Sequence, residues 1–251
     1  MLTTNDLPFK KTLKKRLTLR PYRVILLEVS ERKQPKVRKQ VKWNTGERIH
    51  KTKKGKVLMI AKLINPKKIT DFNRTKADLE LFAVFAVCVA GKKAQQTADK
   101  VNEHFRDVAT PTKQLTPFET IKSLVGANIF GGYLQHAKFG QYKRIYRALR
   151  DLAESSLDLK TCSVEDLEAI HGIGPKTSRF IIMHSRPNQR LATLDTHILR
   201  WMRDQGIETP KATPQSKKLY KELEQKFLTL CDKCAILPSQ LDLKIWKKYS
   251  K

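Results

Sequence analysis

The sequence is poor in acidic residues, in cysteine and in long apolar runs. Of its 251 residues, 24 are Asp or Glu and only four are Cys. No stretch of 18 apolar residues occurs, which argues against a membrane-spanning helix. The N-terminus has no long apolar segment, so we expect no secretory signal. Four cysteines do not make a disulfide framework in a chain of this length. We therefore expect an intracellular protein without a membrane partner.

Positive charge is what the chain has in excess. It carries 51 Lys or Arg residues, a formal net charge of +27 and a pI of about 10.1. The charge is uneven, because residues 1–70 contain 21 Lys or Arg against 4 Asp or Glu. A field this positive attracts polyanions, and nucleic acid is the leading candidate. Charge alone does not choose between DNA and RNA.

Cys231 and Cys234 have the spacing of half a metal site. No second pair of Cys or His residues stands near them in the sequence. Both fall near the end of a predicted amphipathic helix, where packing in the core is the simpler explanation. We therefore assign no metal.

The pattern of residues divides the chain into three parts. Residues 1–20 form a basic arm, which either follows a phosphate backbone, acts as a localisation signal or stays a solvated tail. Residues 21–70 are predicted to be β-rich, with three or four antiparallel strands and basic turns; one of these strands spans 57–63. Residues 71–251 show helical patterns. The predicted fold class is mainly α, with a small, basic, β-rich N-terminal extension.

The helical part contains a loop at 128–132 and a turn-rich connector at 111–117. Its predicted helices span residues 76–90, 92–105, 117–126, 133–153, 164–170, 175–184, 196–203, 214–234 and 239–249. The helix over 133–153 is strongly basic. We take its Lys138, Lys143 and Arg144 as candidate DNA contacts.

Residues 163–203 contain a helix, a tight turn and a second helix. Ser163 is predicted to cap the first helix. Gly172 and Gly174 allow a turn too tight for a side chain, with backbone conformations that other residues avoid. Pro175 suits the first position of the second helix. The N–H groups of the turn, including Ile173, then lie at a helix N-terminus and form a site for an anion such as a phosphodiester.

Lys176 and Asp195 are the candidate catalytic residues, 19 positions apart. The helix dipole disfavours a cation in the first turn, where Lys176 lies, so a nucleophilic amine is one interpretation and a phosphate contact the simpler one. Asp195 is explained most simply as the N-cap of the next helix. It could also face Lys176, help to take its proton and stabilise positive charge on a sugar. His197 is predicted to contact DNA or to be structural.

Taken together, these residues resemble a known signature. The segments LEAIHGIGPKTSRFII (167–182) and LATLDTHILRWM (191–202) are similar to the helix-hairpin-helix, Gly/Pro-rich loop and aspartate of one DNA glycosylase superfamily. That superfamily includes endonuclease III and the 8-oxoguanine glycosylases. The signature covers about 40 residues, and the helical pattern from about 72 to 251 is compatible with the whole family domain. Lys176 matches the lyase lysine, which monofunctional relatives lack, and Asp195 matches the aspartate.

The resemblance implies a bifunctional DNA glycosylase/AP lyase that acts as a monomer on double-stranded DNA, with no cofactor. The hairpin, Gly172 to Gly174, would hold the backbone while the damaged nucleotide flips into a pocket. Lys176 would attack C1′ of the sugar while Asp195 stabilises the charge. Loss of the base and a Schiff base would follow, and β-elimination would cleave the strand on the 3′ side.

The resemblance also bears on the substrate. Endonuclease III relatives often end in four cysteines that hold an iron–sulfur cluster; two are present here, so we expect no cluster. Residues 230–246 are similar to the C-terminal helix of the compact 8-oxoguanine glycosylases, which favours an oxidised purine. Phe85, Trp246 or Tyr249 could stack on the flipped base. The alternatives are an oxidised pyrimidine, an enzymatically modified base, or a DNA-binding protein without catalysis.

Overall fold

The structure is a computed structural model that describes residues 50–51, 57–58, 60–109 and 113–250. The predicted basic arm and most of the predicted β-rich region lie outside these residues. Within that region, strands β1 (His50–Lys51) and β2 (Val57–Leu58) pair antiparallel, with His50 opposite Leu58. The strand predicted over 57–63 does not reach its predicted end, because residues 60–65 have no regular structure and a 3₁₀ helix follows at Pro66–Lys68.

Helices make up most of the described part, which confirms the predicted mainly-α class. They are α1 (Lys76–Val89), α2 (Ala94–Phe105), α3 (Pro117–Gly126), α4 (Phe130–His136), α5 (Tyr142–Glu154), α6 (Val164–Glu168), α7 (Pro175–Ser185), α8 (Thr196–Asp204), α9 (Lys217–Lys233) and α10 (Pro238–Tyr249). Strands β3 (Val108–Ala109) and β4 (Gln114–Leu115) pair antiparallel, so part of the predicted turn-rich connector is a strand. No helix among the described residues is long and apolar enough to cross a membrane.

The predicted cap of α6 is confirmed. Ser163 Oγ accepts from the Asp166 N–H at 3.0 Å, and Asp166 Oδ2 accepts from the Ser163 N–H at 2.8 Å. Two donors that a helix start leaves without partners are thereby satisfied. The same reciprocal arrangement begins α1 at Thr75 and α3 at Thr116. These local signals fix where the helices start.

The single basic helix predicted over 133–153 is wrong, because a turn divides it into α4 and α5. Lys138, Gly140 and Gln141 all have positive φ angles, of 54°, 65° and 47°. Such left-handed residues end a right-handed helix. The loop predicted at 128–132 is also partly wrong, since α4 begins at Phe130, which is 1% exposed. Burial of this ring outweighs the weak helix propensity of the glycine pair that follows it.

Two apolar cores build the domain. In α1, every residue from Asp78 to Cys88 is buried, and this helix packs against α2, α3, α5 and α7. The first core joins these helices and includes Ala61, Ile64 and Ile69 of the preceding segment. The second core is formed by α8, α9 and α10 together with Ala192 and Leu194.

The two predicted catalytic residues lie on opposite sides of the junction between the cores. Helix α7, which carries Lys176, contributes Ile181 and Ile182 to the first core. Helix α8, which Asp195 caps, contributes Ile198 to the second. Helix α10 packs against both α7 and α8 and bridges the junction.

Candidate active site

The hairpin between α6 and α7 needs a glycine at only one of its two glycine positions. Gly172 has a φ of +82°, and an added Cβ would lie 3.2 Å from Arg144 Cγ and 3.3 Å from Ala148 Cβ. Gly174 has a φ of −97° and a ψ of −178°, and a Cβ there would meet nothing within 4 Å. The prediction of an unusual backbone at both glycines is therefore wrong for Gly174, whose extended conformation any residue adopts.

The start of α7 presents free N–H groups. Gly174 is the N-cap, and no side chain caps the helix. The N–H groups of Thr177 and Ser178 donate to the Gly174 carbonyl at 3.0 and 3.1 Å. Those of Gly174 and Lys176 have no partner in the described part of the chain. Free amides at the positive end of a helix dipole attract anions, so this geometry is compatible with the predicted anion site.

Arg144 fastens this hairpin to the rest of the domain. Its Nη1 donates to the Gly172 carbonyl at 3.2 Å, its Nη2 to the Val87 carbonyl at 2.9 Å, and its Nε to Gln141 Oε1 at 2.8 Å. All three nitrogens therefore have protein partners, and the side chain is only half-exposed. These hydrogen bonds support the hairpin. They also leave fewer N–H groups of the guanidinium available to contact DNA than the sequence suggested.

The other predicted DNA contacts are placed differently. Lys138, in the turn before α5, and Lys143, in the first turn of α5, are both exposed. His197 is half-buried in the first turn of α8. Ile173 is 3% exposed, and its side chain anchors the hairpin in the first core. Its N–H donates to the Ile170 carbonyl at 3.1 Å and is therefore not one of the free amides.

Lys176 is half-buried in the first turn of α7. It forms no hydrogen bond or ion pair with the residues that the structure describes. Asp195 is also half-buried and is the N-cap of α8, since its Oδ1 accepts from the N–H groups of His197 and Ile198, both at 2.9 Å. The structural interpretation of Asp195 is thus confirmed. Its Oδ2 accepts no hydrogen bond from a described residue, so one oxygen remains for chemistry.

Two residues that the sequence analysis did not select complete the site. Asp242 of α10 is 7% exposed, and its Oδ2 lies 3.1 Å from Nε2 of the fully buried His184 of α7. Burial raises the pKa of Asp242, and the hydrogen bond and charge of His184 oppose this rise. The charge of Asp195 raises the same pKa and that of Lys176 lowers it. Lys176 and Asp195 therefore both lie within electrostatic range of this one buried carboxyl.

A comparison with protein-family models finds no match. Among solved structures, the 8-oxoguanine DNA glycosylase of Thermotoga maritima superposes with a TM-score of 0.57 at 19% identity, covering 73% of this chain and 86% of that one. The 8-oxoguanine DNA glycosylase of Methanocaldococcus jannaschii superposes with a TM-score of 0.55 at 16% identity, covering 74% and 85%. The chain has the fold of these helix-hairpin-helix glycosylases. This confirms the fold that the signature at 163–203 predicted.

A buried ion-pair network holds α7 in the glycosylase fold. Arg179 is 6% exposed; its Nη1 donates to Glu168 Oε1 at 2.7 Å and its Nε to Glu224 Oε1 at 2.9 Å. Its guanidinium also lies 4.5 Å from the centre of the Tyr220 ring. One residue of α7 is thereby tied to α6 and to α9, which fixes the helix that carries Lys176.

The three aromatic residues suggested for base stacking have different surroundings in this fold. Phe85 is 1% exposed and packs in the first core, so its ring has no surface to offer to a base. Trp246 and Tyr249, both on α10, are half-exposed. The Tyr249 hydroxyl donates to Asp204, and Arg200 lies 5.2 Å from the centre of the Tyr249 ring.

The paired cysteines have no metal-site geometry around them. Cys231 is buried and Cys234 is exposed, and both are free. Burial raises the pKa of Cys231 to about 12, which disfavours the thiolate that metals require. Within residues 60–109 and 113–250, no group of three or more His, Cys, Asp or Glu residues is arranged to hold a metal ion.

Proposed function

We propose that this protein is a DNA glycosylase with AP lyase activity that excises a damaged base, 8-oxoguanine in preference, from double-stranded DNA. One observation carries the proposal. The Lys176 amine has no hydrogen-bond partner in the described chain and lies in the first turn of α7, next to the free N–H groups of the hairpin. Both Lys176 and Asp195 lie within electrostatic range of Asp242. A phosphate held by the hairpin would bring a nucleotide next to both residues.

The protein would bind DNA through its backbone phosphates. The N–H groups of Gly174 and Lys176 are available for a phosphate oxygen. An open space where a Cβ of Gly174 would lie lets the strand approach this backbone closely. Lys138 and Lys143 are exposed cations on the turn before α5 and on α5, whose Arg144 contacts the hairpin. The net charge of +27 supplies long-range attraction.

The chemistry follows from the positions of two side chains. With the damaged nucleotide flipped out of the helix, the neutral amine of Lys176 attacks C1′ as the base departs. Positive charge develops on the sugar in this step, and the free oxygen of Asp195 stabilises it. The product of the attack is an aminal, which opens to a Schiff base as the C1′–O4′ bond breaks and O4′ takes a proton. Loss of a proton from C2′ then expels the 3′ phosphate, so that β-elimination breaks the C3′–O bond.

Asp195 suits this role because its structural task keeps it in place. Two backbone N–H groups donate to Oδ1 at 2.9 Å each. These hydrogen bonds fix the carboxylate and leave its second oxygen without a hydrogen bond from a described residue. A charged group that is already oriented does not have to reorganise during the reaction, and such preorganisation is the main source of electrostatic catalysis. The N-cap and the catalytic interpretation therefore support each other.

The choice of 8-oxoguanine rests on two similarities. Two proteins of known structure that share this fold, from Thermotoga maritima and Methanocaldococcus jannaschii, are 8-oxoguanine DNA glycosylases. The C-terminal segment 230–246 also resembles the last helix of compact 8-oxoguanine glycosylases. In the structure this segment includes most of α10, which carries Asp242 and Trp246 at the junction of the cores.

Borohydride trapping tests the proposal. The protein is mixed with duplexes that contain one 8-oxoguanine, one thymine glycol, one abasic site or no lesion, and borohydride is added to reduce any Schiff base. We expect a covalent complex with the abasic duplex and, among the base lesions, the fastest trapping with 8-oxoguanine. Binding to every duplex without any trapping would instead support a DNA-binding protein without catalysis.

Lys176→Gln identifies the nucleophile in the same assay. We expect this variant to form no covalent complex while it still binds the duplex, because the hairpin amides are unchanged. Lys221→Gln, which alters an exposed lysine of α9, is the matched control and should trap like the unaltered protein. Undiminished trapping by Lys176→Gln would show that another amine forms the Schiff base.

A further inference from the structure

A hydrogen-bonded chain of three polar side chains, two of them buried, links α7 to α10 near the proposed active site. Thr70 Oγ1 lies 2.7 Å from His184 Nδ1, and His184 Nε2 lies 3.1 Å from Asp242 Oδ2. His184 is 0% exposed and Asp242 is 7% exposed. When the Thr70 hydroxyl donates to Nδ1, the ring carries its proton on Nε2 and donates to Asp242. Asp242 then has one oxygen occupied and Oδ1 without a partner among the described residues.

Charged and titratable groups face Asp242 from all three helices around it. Helix α7 supplies His184 and Lys176, and the N-cap of α8 supplies Asp195. Helix α9 supplies Tyr220 and Cys231, whose own pKa values the Asp242 charge raises. Lys176 is the only cation among these five other than a protonated His184. Asp242 therefore lies within electrostatic range of that lysine, on a helix that packs against α7.

The proposed reaction needs a proton acceptor for Lys176. An ammonium group has no lone pair and cannot attack C1′, so one proton must leave before the first step. Asp195 is poorly suited to hold this proton, since a protonated carboxyl no longer stabilises the positive charge that develops on the sugar. A second carboxylate would free Asp195 for that task.

We propose that Asp242 is this acceptor and takes the proton of Lys176, directly or through one water, so that the amine becomes nucleophilic; the inference rests on the proposed function. An N–H bond of the ammonium breaks, its electron pair stays on nitrogen, and an O–H bond forms on Asp242 Oδ1. Oδ2 continues to accept from His184. The Thr70–His184 pair holds the Asp242 carboxyl in place. His184 itself neither gains nor loses a proton in this step.

Burial favours this transfer. Before it, the site contains an ammonium and two carboxylates; after it, Lys176 and Asp242 are both neutral and only Asp195 is charged. Removing these two charges is favourable where burial limits their solvation, and Asp242 is 7% exposed while Lys176 is half-buried. The raised pKa of Asp242 has the same physical cause and makes this carboxylate a better proton acceptor than an exposed one.

Asp242→Asn tests the inference with trapping on a duplex that already contains an abasic site, which isolates Schiff-base formation from base removal. Rates are measured under single-turnover conditions from mildly acidic to mildly alkaline pH. At neutral pH we expect trapping to slow by about 10²-fold, the usual contribution of one general base. The loss should shrink as pH rises, because solvent then removes the lysine proton. The affinity for DNA should stay unchanged.

Asp232→Asn is the control, since it alters an exposed carboxylate of α9 and should change neither the rate nor its pH dependence. Thr70→Val is a second variant for the case in which Asp242→Asn does not fold. It removes the hydroxyl that orients His184, and we expect a smaller loss that again recovers at high pH.

The outcomes separate this inference from the proposed function. If the unaltered protein forms no Schiff base on any duplex, the proposed function fails and the inference with it. The inference is overturned if the unaltered protein forms the covalent complex and Asp242→Asn forms it at the same rate. It is also overturned if Asp242→Asn is slower by the same factor at every pH, because Asp242 then has only a structural role. If Asp242→Asn does not fold, an unchanged rate or a pH-independent loss of rate in Thr70→Val overturns the inference.

Discussion

Gly172 lies against Ala148 so closely that a Cβ added to the glycine would come within 3.3 Å of the alanine Cβ. The hairpin therefore packs closely against α5, and Arg144 of the same helix donates to the Gly172 carbonyl. Two residues later, at Gly174, an added Cβ would meet no protein atom within 4 Å. Packing within the protein thus constrains Gly172, whereas we propose that bound DNA is what constrains Gly174.

Substituting alanine at each glycine separates these constraints. Gly172→Ala forces a side chain into a left-handed backbone and against α5, and we expect a loss of about 1–3 kcal/mol in the free energy of unfolding. Gly174→Ala should leave stability nearly unchanged and weaken DNA binding, because its methyl group would stand between the hairpin amides and a phosphate. Thermal unfolding and a DNA titration measure both effects. Equal DNA affinity in Gly174→Ala would mean that the strand does not approach this backbone.

The two tasks of Asp195 can also be separated. Asparagine is as good an N-cap as aspartate, so Asp195→Asn should keep the stability of α8 and lose the charge. We expect base removal to slow by about 10²–10³-fold, as for the loss of one preorganised electrostatic group. Asp195→Ala should lose about 1 kcal/mol of stability in addition, because the cap disappears. Single-turnover excision and thermal unfolding give the two readouts, and full activity in Asp195→Asn would exclude the catalytic role.

Local signals in the sequence predicted the parts of the site that local geometry determines. Ser163 caps α6, Pro175 begins α7 and Asp195 caps α8, and each of these depends on residues no more than three positions away. The resemblance of the segment to a glycosylase signature suggested the roles that we propose for Lys176 and Asp195. The positive φ of Gly172 also followed from the need for a tight turn.

Contacts between distant residues could not be predicted in this way. Asp242 and His184 are 58 positions apart, and Thr70 and His184 are 114 apart. The only signal was a polar residue in an apolar setting, an aspartate between Leu241 and Leu243 and a histidine after two isoleucines and a methionine. The division of the basic segment into α4 and α5 was missed for the same reason. Burial of Phe130 and the turn at Gly140 depend on the packing of the whole core.

The ion pairs of Arg179 and Arg190 should contribute very differently to stability. Arg179→Leu leaves Glu168 and Glu224, whose side chains are 14% and 10% exposed, without their cation, and we expect a loss of about 3–5 kcal/mol. Arg190→Leu removes a partner of Asp232 in a pair whose side chains are 58% and 57% exposed, and should change the unfolding temperature little. Similar effects of both substitutions would contradict the burial that the structure gives to Arg179.

The basic arm, residues 1–20, contributes a further test of DNA binding. It contains six Lys or Arg residues and one Asp, and lies outside the described residues. Each phosphate that a cation neutralises releases counterions, so the logarithm of the binding constant falls more steeply with salt when more contacts form. Deleting residues 1–20 should weaken binding to undamaged duplex and reduce this slope. The trapping rate at saturating DNA should stay the same, because the deletion does not alter Lys176 or Asp195. A slope equal to that of the full chain would show that the arm does not contact DNA, and the excess positive charge would then act through residues 21–251.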